Sequence, residues 1–148
     1  MLSEDQQQLR FVFIARGIPG SGKTTFSKLI YNTYNMLFPD FTAYHAIDDL
    51  HTDESGNFLW NEDLEEELYG VLFTNFKKSC DENKAFIVVD AMNLQKKDYS
   101  AYVNYAEMAG YRVATIVPPQ PTAKEAAKRN KHFVTEEQIE EMITRWEG

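Results

Sequence analysis

A three-layer α/β fold, with a central parallel sheet and helices on both faces, is predicted by three observations. First, apolar segments short enough for strands alternate with longer amphipathic ones in the order β-α-β-α-β-α-β-α, and alternation of this kind builds a parallel sheet from crossover units. Second, one of these segments, Ala85-Phe86-Ile87-Val88-Val89, is continuously apolar, the pattern of a strand buried on both faces. Third, residues 17–24 read G-I-P-G-S-G-K-T between an apolar run and a helical stretch. They match the whole pattern G-x-x-x-x-G-K-[ST] in the strand–loop–helix context that gives the pattern its meaning.

The elements follow in chain order. Strand one covers residues 10–16, around Phe11-Val12-Phe13-Ile14-Ala15. A helix over 23–37 stops before Pro39. A short strand at 42–47 leads into Asp48-Asp49. Ser55-Gly56-Asn57 marks a turn. Asn61 suits an N-cap, and the helix it opens runs to about residue 81, with acids in its first turn. The apolar run makes a strand over 84–90. A helix over 98–109 is closed by Gly110, and a strand over 111–117 is stopped by Pro118-Pro119. Two short helices, 122–131 and 135–146, end the chain, the second opened by a Thr135/Gln138 capping box.

The loop at 17–24 predicts phosphate binding. Gly17, Gly20 and Gly22 permit positive φ and close approach of an anion to the backbone, and Pro19 stiffens the turn. The N–H groups at the start of the following helix face the anion. The phosphates of a nucleoside triphosphate would rest on Gly17, Pro19, Gly20, Ser21, Gly22, Lys23, Thr24 and Thr25. Lys23 would reach the β- and γ-phosphates, and the Thr24 hydroxyl would bind Mg²⁺. ATP and Mg²⁺ are therefore the expected cofactors.

In a sheet of this kind ligands sit beyond the carboxyl ends of the strands, and three strand ends deliver polar groups there. Asp48 is the candidate general base for transfer to a hydroxyl; it reads equally as an acid at a strand-to-helix turn. Asp49 reads as a turn or capping residue. Asp90 ends an apolar strand, as an acid holding a metal-bound water does, or is a turn aspartate. Asn93 is a candidate brace. Arg129, in Lys128-Arg129-Asn130-Lys131, reads either as a surface arginine on a basic helix or as a lid arginine over the phosphates.

Composition bounds the rest. With 148 residues and 43% hydrophobic content the chain is expected to form a single domain over residues 1–148, with residues 1–9 a frayed, polar lead-in. No apolar run reaches membrane-spanning length. Cys80 is the one cysteine, excludes an internal disulfide and falls where a helix would bury it; a cytoplasmic setting (host cytoplasm for a viral chain) follows as the expectation. His45, His51 and His132 are scattered and give no zinc pattern. The net charge of −8 argues against broad duplex binding. Charge is uneven: residues 48–67 are acidic without Lys or Arg, and residues 124–131 are basic. This is read as a solvated acidic face plus a basic surface helix, or as a basic lid over the triphosphate with the acidic surface turned away.

Absent motifs narrow the class. No N-K-x-D guanine-reading motif occurs, no Glu follows Asp90 as in motor and AAA-type ATPases, and residues 48–67 lack the arginines of a nucleoside monophosphate site. Four blocks, G-I-P-G-S-G-K-T-T at 17–25, A-I-D-D-L at 46–50, F-I-V-V-D-A-M-N-L at 86–94 and K-R-N-K-H-F-V-T-E-E-Q-I at 128–139, together resemble the polynucleotide kinase family of P-loop kinases over nearly the whole chain. The resemblance implies a small-kinase P-loop NTPase fold with a C-terminal helical lid. It also implies transfer of the ATP γ-phosphate to the 5′-hydroxyl of a nucleic acid end, with Asp48 as base and Arg129 on the lid. Asp90 and Asn93 match the ends of the family's D-x-x-N block. Ala91 and Met92 depart from the usual polar pair inside that block, and Ile47 stands where some members place arginine. A nucleoside, a modified DNA base or a small metabolite is the alternative acceptor, and a non-catalytic ATP-binding module the alternative class.

Overall fold

A computed structural model describes residues 9–148; the expected lead-in lies, Leu9 apart, outside the described residues. The chain forms β1 (Phe11–Ala15), α1 (Lys23–Leu37), β2 (Thr42–Ala46), α2 (Ile47–Leu50), α3 (Glu62–Asp81), β3 (Phe86–Asp90), α4 (Lys96–Met108), β4 (Arg112–Ile116), α5 (Ala123–Arg129) and α6 (Glu136–Thr144). The strands make one sheet in the order β2-β3-β1-β4, every pair parallel. The three-layer α/β expectation holds, with α2 as an addition. Four residues are too few to show a helical period, so the stretch after β2 read only as a turn.

All five residues of β3 are buried, as its unbroken apolar run requires at the centre of a sheet covered on both sides. In β1 the strand period of two sorts the faces. Val12 and Ile14 point toward Leu72 and Phe76 of α3 and Tyr102 and Ala106 of α4. Phe11 and Phe13 point the other way, toward Tyr34, Phe38 and Phe41. The ring of Tyr34 stacks on Phe86 with centroids 4.0 Å apart. Cys80 is buried within the α3–α4 side, and burial pushes its thiol up to about 12, consistent with a packing role.

Several boundaries have clear local causes. The Asn61 side chain accepts from the Asp63 N–H, fixing the start of α3. α4 begins before Asp98 because the Asp98 carboxylate reaches back to the Gln95 N–H at 3.0 Å, making Asp98 a cap partner inside the first turn. The Thr135/Gln138 capping box opens α6. The two C-terminal helices form their own small core, Ile18, Leu94, Ala126 and Ile139, with Val134, Met142 and Trp146 against it. This core joins the lid to the loop after β1, so the lid is packed onto the carboxyl edge of the sheet.

Candidate active site

The phosphate loop is shaped by its backbone partners. The Gly17 N–H bonds the Met92 carbonyl at 2.9 Å, and the Ile18 N–H bonds Oε1 of Gln120 at 3.1 Å. Gly20 and Gly22 have φ of 81° and 89°, the left-handed region where glycine is unstrained. Gly22 caps α1 without a side chain, so the first-turn N–H groups carry no side-chain cap and are available to an anion. Ser21 is buried, with its hydroxyl unpartnered. Pro19, Gly20, Ser21, Gly22, Lys23, Thr24 and Thr25 all line a cavity of about 1420 Å³.

Strand register assembles the rest of the edge. Asp90 stands level with Ala15 on one side and Ala46 on the other. The end of the loop strand, the Asp90 end of β3 and the Asp48-Asp49 turn therefore meet at one edge. Asp90 is buried and accepts a hydrogen bond from the Tyr44 hydroxyl at Oδ2; burial, reinforced by Asp90, pushes the Tyr44 phenol well above its ordinary range. Asn93, with φ of 47°, donates from Nδ2 to the Ala15 carbonyl at 2.8 Å, tying β3's exit to the end of β1.

Asp48 and Asp49 lie in α2. The Asp49 carboxyl is raised by partial burial, with Lys28 opposing the shift and Asp48 and Asp90 adding to it. These carboxylates therefore share one electrostatic neighbourhood beside the phosphate loop. The Asp48 side chain is half-buried, and its Oδ2 lies 3.1 Å from Nε2 of His132. No pattern in the sequence assigns His132 a role, yet the fold carries it from the lid onto Asp48. Its only signal was membership of the block at 128–139. Phe58, whose ring centroid is 3.8 Å from that of His132, was likewise missed.

Two expectations need correction. The acidic stretch does not turn away: Asp48, Asp49, Glu62 and Glu65 all line the cavity. The segment after α2 folds back on itself through a Thr52–Phe58 bridge and a 2.7 Å bond from the Leu59 N–H to the His51 carbonyl, which brings the start of α3 over the sheet edge. The basic lid is only partly as expected. Arg129 lines the cavity, but its Nη2 is bonded to Oε2 of Glu125 at 3.0 Å on its own helix. Lys131 and Arg145 line the cavity as well. Among the described residues no group of His, Cys, Asp and Glu forms a metal cluster.

The fold recurs in solved proteins. The Pnkp1/Rnl/Hen1 RNA repair complex contains a chain that superposes with a TM-score of 0.68 at 22% identity, covering 93% of this chain and 44% of that one. A gluconokinase from Sinorhizobium meliloti 1021 superposes with a TM-score of 0.62 at 15% identity, covering 95% and 77%. Among curated proteins, YLP motif-containing protein 1 from Rattus norvegicus is 28% identical over 157 aligned positions, which take in 94% of this chain and 11% of that protein. The chain thus spans about a tenth of that relative's length. The resemblance to P-loop kinases read from the four blocks is matched by the fold and by a family match described as an AAA domain, although Asp90 at the end of β3 is followed by Ala91-Met92 with no Glu beside it. That match extends over residues 12–148, from β1 through the last helix, and the chain belongs to the AAA_33 family, with a P-loop kinase-like fold.

Proposed function

We propose that this chain is an ATP-dependent phosphotransferase that moves the γ-phosphate to a hydroxyl, with a nucleic acid 5′-hydroxyl end as the acceptor. The observation that carries the reading is that the phosphate loop and Asp48 line one cavity. In that reading the triphosphate lies on the loop N–H groups and Lys23. The acceptor oxygen attacks the γ-phosphorus in line, the bond to the ADP oxygen breaks, and the hydroxyl proton passes to Asp48. Arg129 leaves Glu125 and turns toward the phosphates as charge builds on them.

The donor set suits Mg²⁺. Thr24 offers a hydroxyl, and Asp90 keeps Oδ1 beyond its Tyr44 bond; both are the hard oxygen donors this ion prefers. Mg²⁺ held there would neutralise charge on the β- and γ-phosphates. Asn93 and Gln120 act on the backbone, holding the loop that receives them.

A polynucleotide acceptor is supported by the spaced D-D, D-x-x-N and R-N blocks and by the likeness to a chain of the Pnkp1 complex. A specific observation favours a second reading, a small uncharged acceptor. The wall around Asp48 carries Asp49, Glu62 and Glu65 with Trp60 and Tyr69, a surface that repels a phosphodiester chain and stacks a neutral ring. The likeness to a gluconokinase agrees with it.

Asp48→Asn tests the proposal with labelled ATP and a panel of acceptors: 5′-hydroxyl oligonucleotides, the same strands already 5′-phosphorylated, nucleosides and polyols. Turnover should fall about 10²–10⁴-fold, the usual worth of a general base, with ATP affinity unchanged. Undiminished turnover in Asp48→Asn rules out the base. Transfer to polyols or nucleosides and none to 5′-hydroxyl strands selects the second reading.

A further inference from the structure

We infer that His132, carried on the C-terminal lid, is a positioning residue for Asp48; this rests on the reading of Asp48 as the base. The contact is the 3.1 Å approach of Nε2 to Oδ2. A carboxylate can only accept, so in this reading the proton that pairs the two groups sits on Nε2. Oδ1 is left to take the acceptor's proton. His132 cannot itself be the base: Nε2 is engaged, and Nδ1 is buried with no partner in reach.

The loop that presents His132 is built for it. Asn130 Oδ1 accepts from the His132 N–H at 3.2 Å and the Val134 N–H at 2.9 Å, while its Nδ2 donates to the carbonyls of Ala126, Ala127 and Val134. This one amide fastens the turn between α5 and α6. Phe133, between the two bonded N–H groups, is driven to φ of 59°, a strained value for a bulky side chain, and is fully exposed. The backbone is thus bent so that His132 points inward, and the Phe58 ring lies against it, tilted by 31°, and limits its rotation. On the other side, the Asp48 carbonyl accepts from the Thr52 hydroxyl at 2.7 Å, which anchors the aspartate's backbone. The lid therefore orients the carboxylate on an already fixed backbone.

Two variants that place an amide at different reach provide the test. The amide nitrogen of Gln falls where Nε2 stands; that of Asn falls nearer Nδ1. With labelled ATP and a 5′-hydroxyl oligonucleotide, His132→Asn should lower kcat about 10-fold or more, the worth of a hydrogen bond to a charged group, with KM for ATP within about twofold. His132→Gln should recover most of the loss. Equal kcat in the two variants, or equal loss in kcat and in ATP binding, overturns the inference. A second readout needs no acceptor: the His132 ring ¹⁵N resonances should report the Nε2–H tautomer and move in Asp48→Asn. Resonances unmoved by Asp48→Asn also overturn it. If Asp48→Asn itself retains turnover, the base reading has failed; if Asp48→Asn is inactive and His132→Asn is not, only the His132 role has failed.

Discussion

Gly20 of the phosphate loop lies directly against Ala126 of α5: a Cβ on Gly20 would stand 2.5 Å from the Ala126 carbonyl oxygen and 2.9 Å from its Cα. The loop and the lid therefore touch backbone to backbone, and only a residue without a side chain allows it. Gly20→Ala meets two penalties, the left-handed φ of 81° and this contact. Gly56→Ala is the matched control, with φ of 85° and open space around it. Positive φ alone costs about 1–2 kcal/mol. Gly20→Ala should lose at least about 1 kcal/mol more than Gly56→Ala in urea unfolding, and it alone should weaken ATP binding. Equal losses for the two would mean the lid gives way freely.

The features legible in the sequence are those that local chemistry decides. The glycines of the phosphate loop, the Asn61 cap, the Thr135/Gln138 box and the apolar run of β3 each follow from a few neighbouring residues. What escaped depends on contacts between distant segments. His132 meets Asp48 only because Asn130 bends the lid turn and the sheet brings β2 beside β3. The acidic stretch could not be assigned a direction from charge alone. Leu68, Leu72 and Phe76 commit one face of α3 to the core, and the fold-back at Thr52–Phe58 then decides where its acidic first turn lands. Arg129 lines the cavity, and its i,i+4 partner Glu125, which pattern alone does not pair with it, competes for it.

Arg16 ties the loop strand to the segment after β3 and to the C-terminus. It is buried, donates from Nε to the Asn93 carbonyl at 2.8 Å and from Nη2 to the carbonyls of Leu94 and Glu147, and lies 4.5 Å from the ring centroids of both Tyr99 and Trp146. Lys carries the charge without the planar fork or the flat face that stacks. Arg16→Lys should therefore destabilise by on the order of 3 kcal/mol in urea unfolding, since it leaves buried carbonyls and a buried charge poorly paired. Trp146 fluorescence should also change in the folded state, as one face of the indole loses its cover. A variant as stable as the parent would show that charge alone suffices.

His45 gives the fold a predictable weakness in acid. It lies mostly buried on β2, with Nε2 at 2.8 Å from the Ser79 hydroxyl, and burial lowers its pKa from 6.5 to about 4. Burial disfavours the charged imidazole, so the folded chain keeps His45 neutral where the unfolded chain already binds a proton. Between pH 6.5 and about 4 the unfolded state therefore holds more protons, and stability rises with pH across that window. Going down in pH, His45 should remove at most about 3 kcal/mol, the free energy equivalent of the shift. Carboxylates titrate in the same range, so the measurement is a difference: urea midpoints of the parent and of His45→Gln, whose amide can still bond Ser79 and does not titrate. The parent's stability relative to the variant should decline from pH 7 to pH 4 and level off below. A difference independent of pH would mean that the His45 site admits the proton as readily as water does.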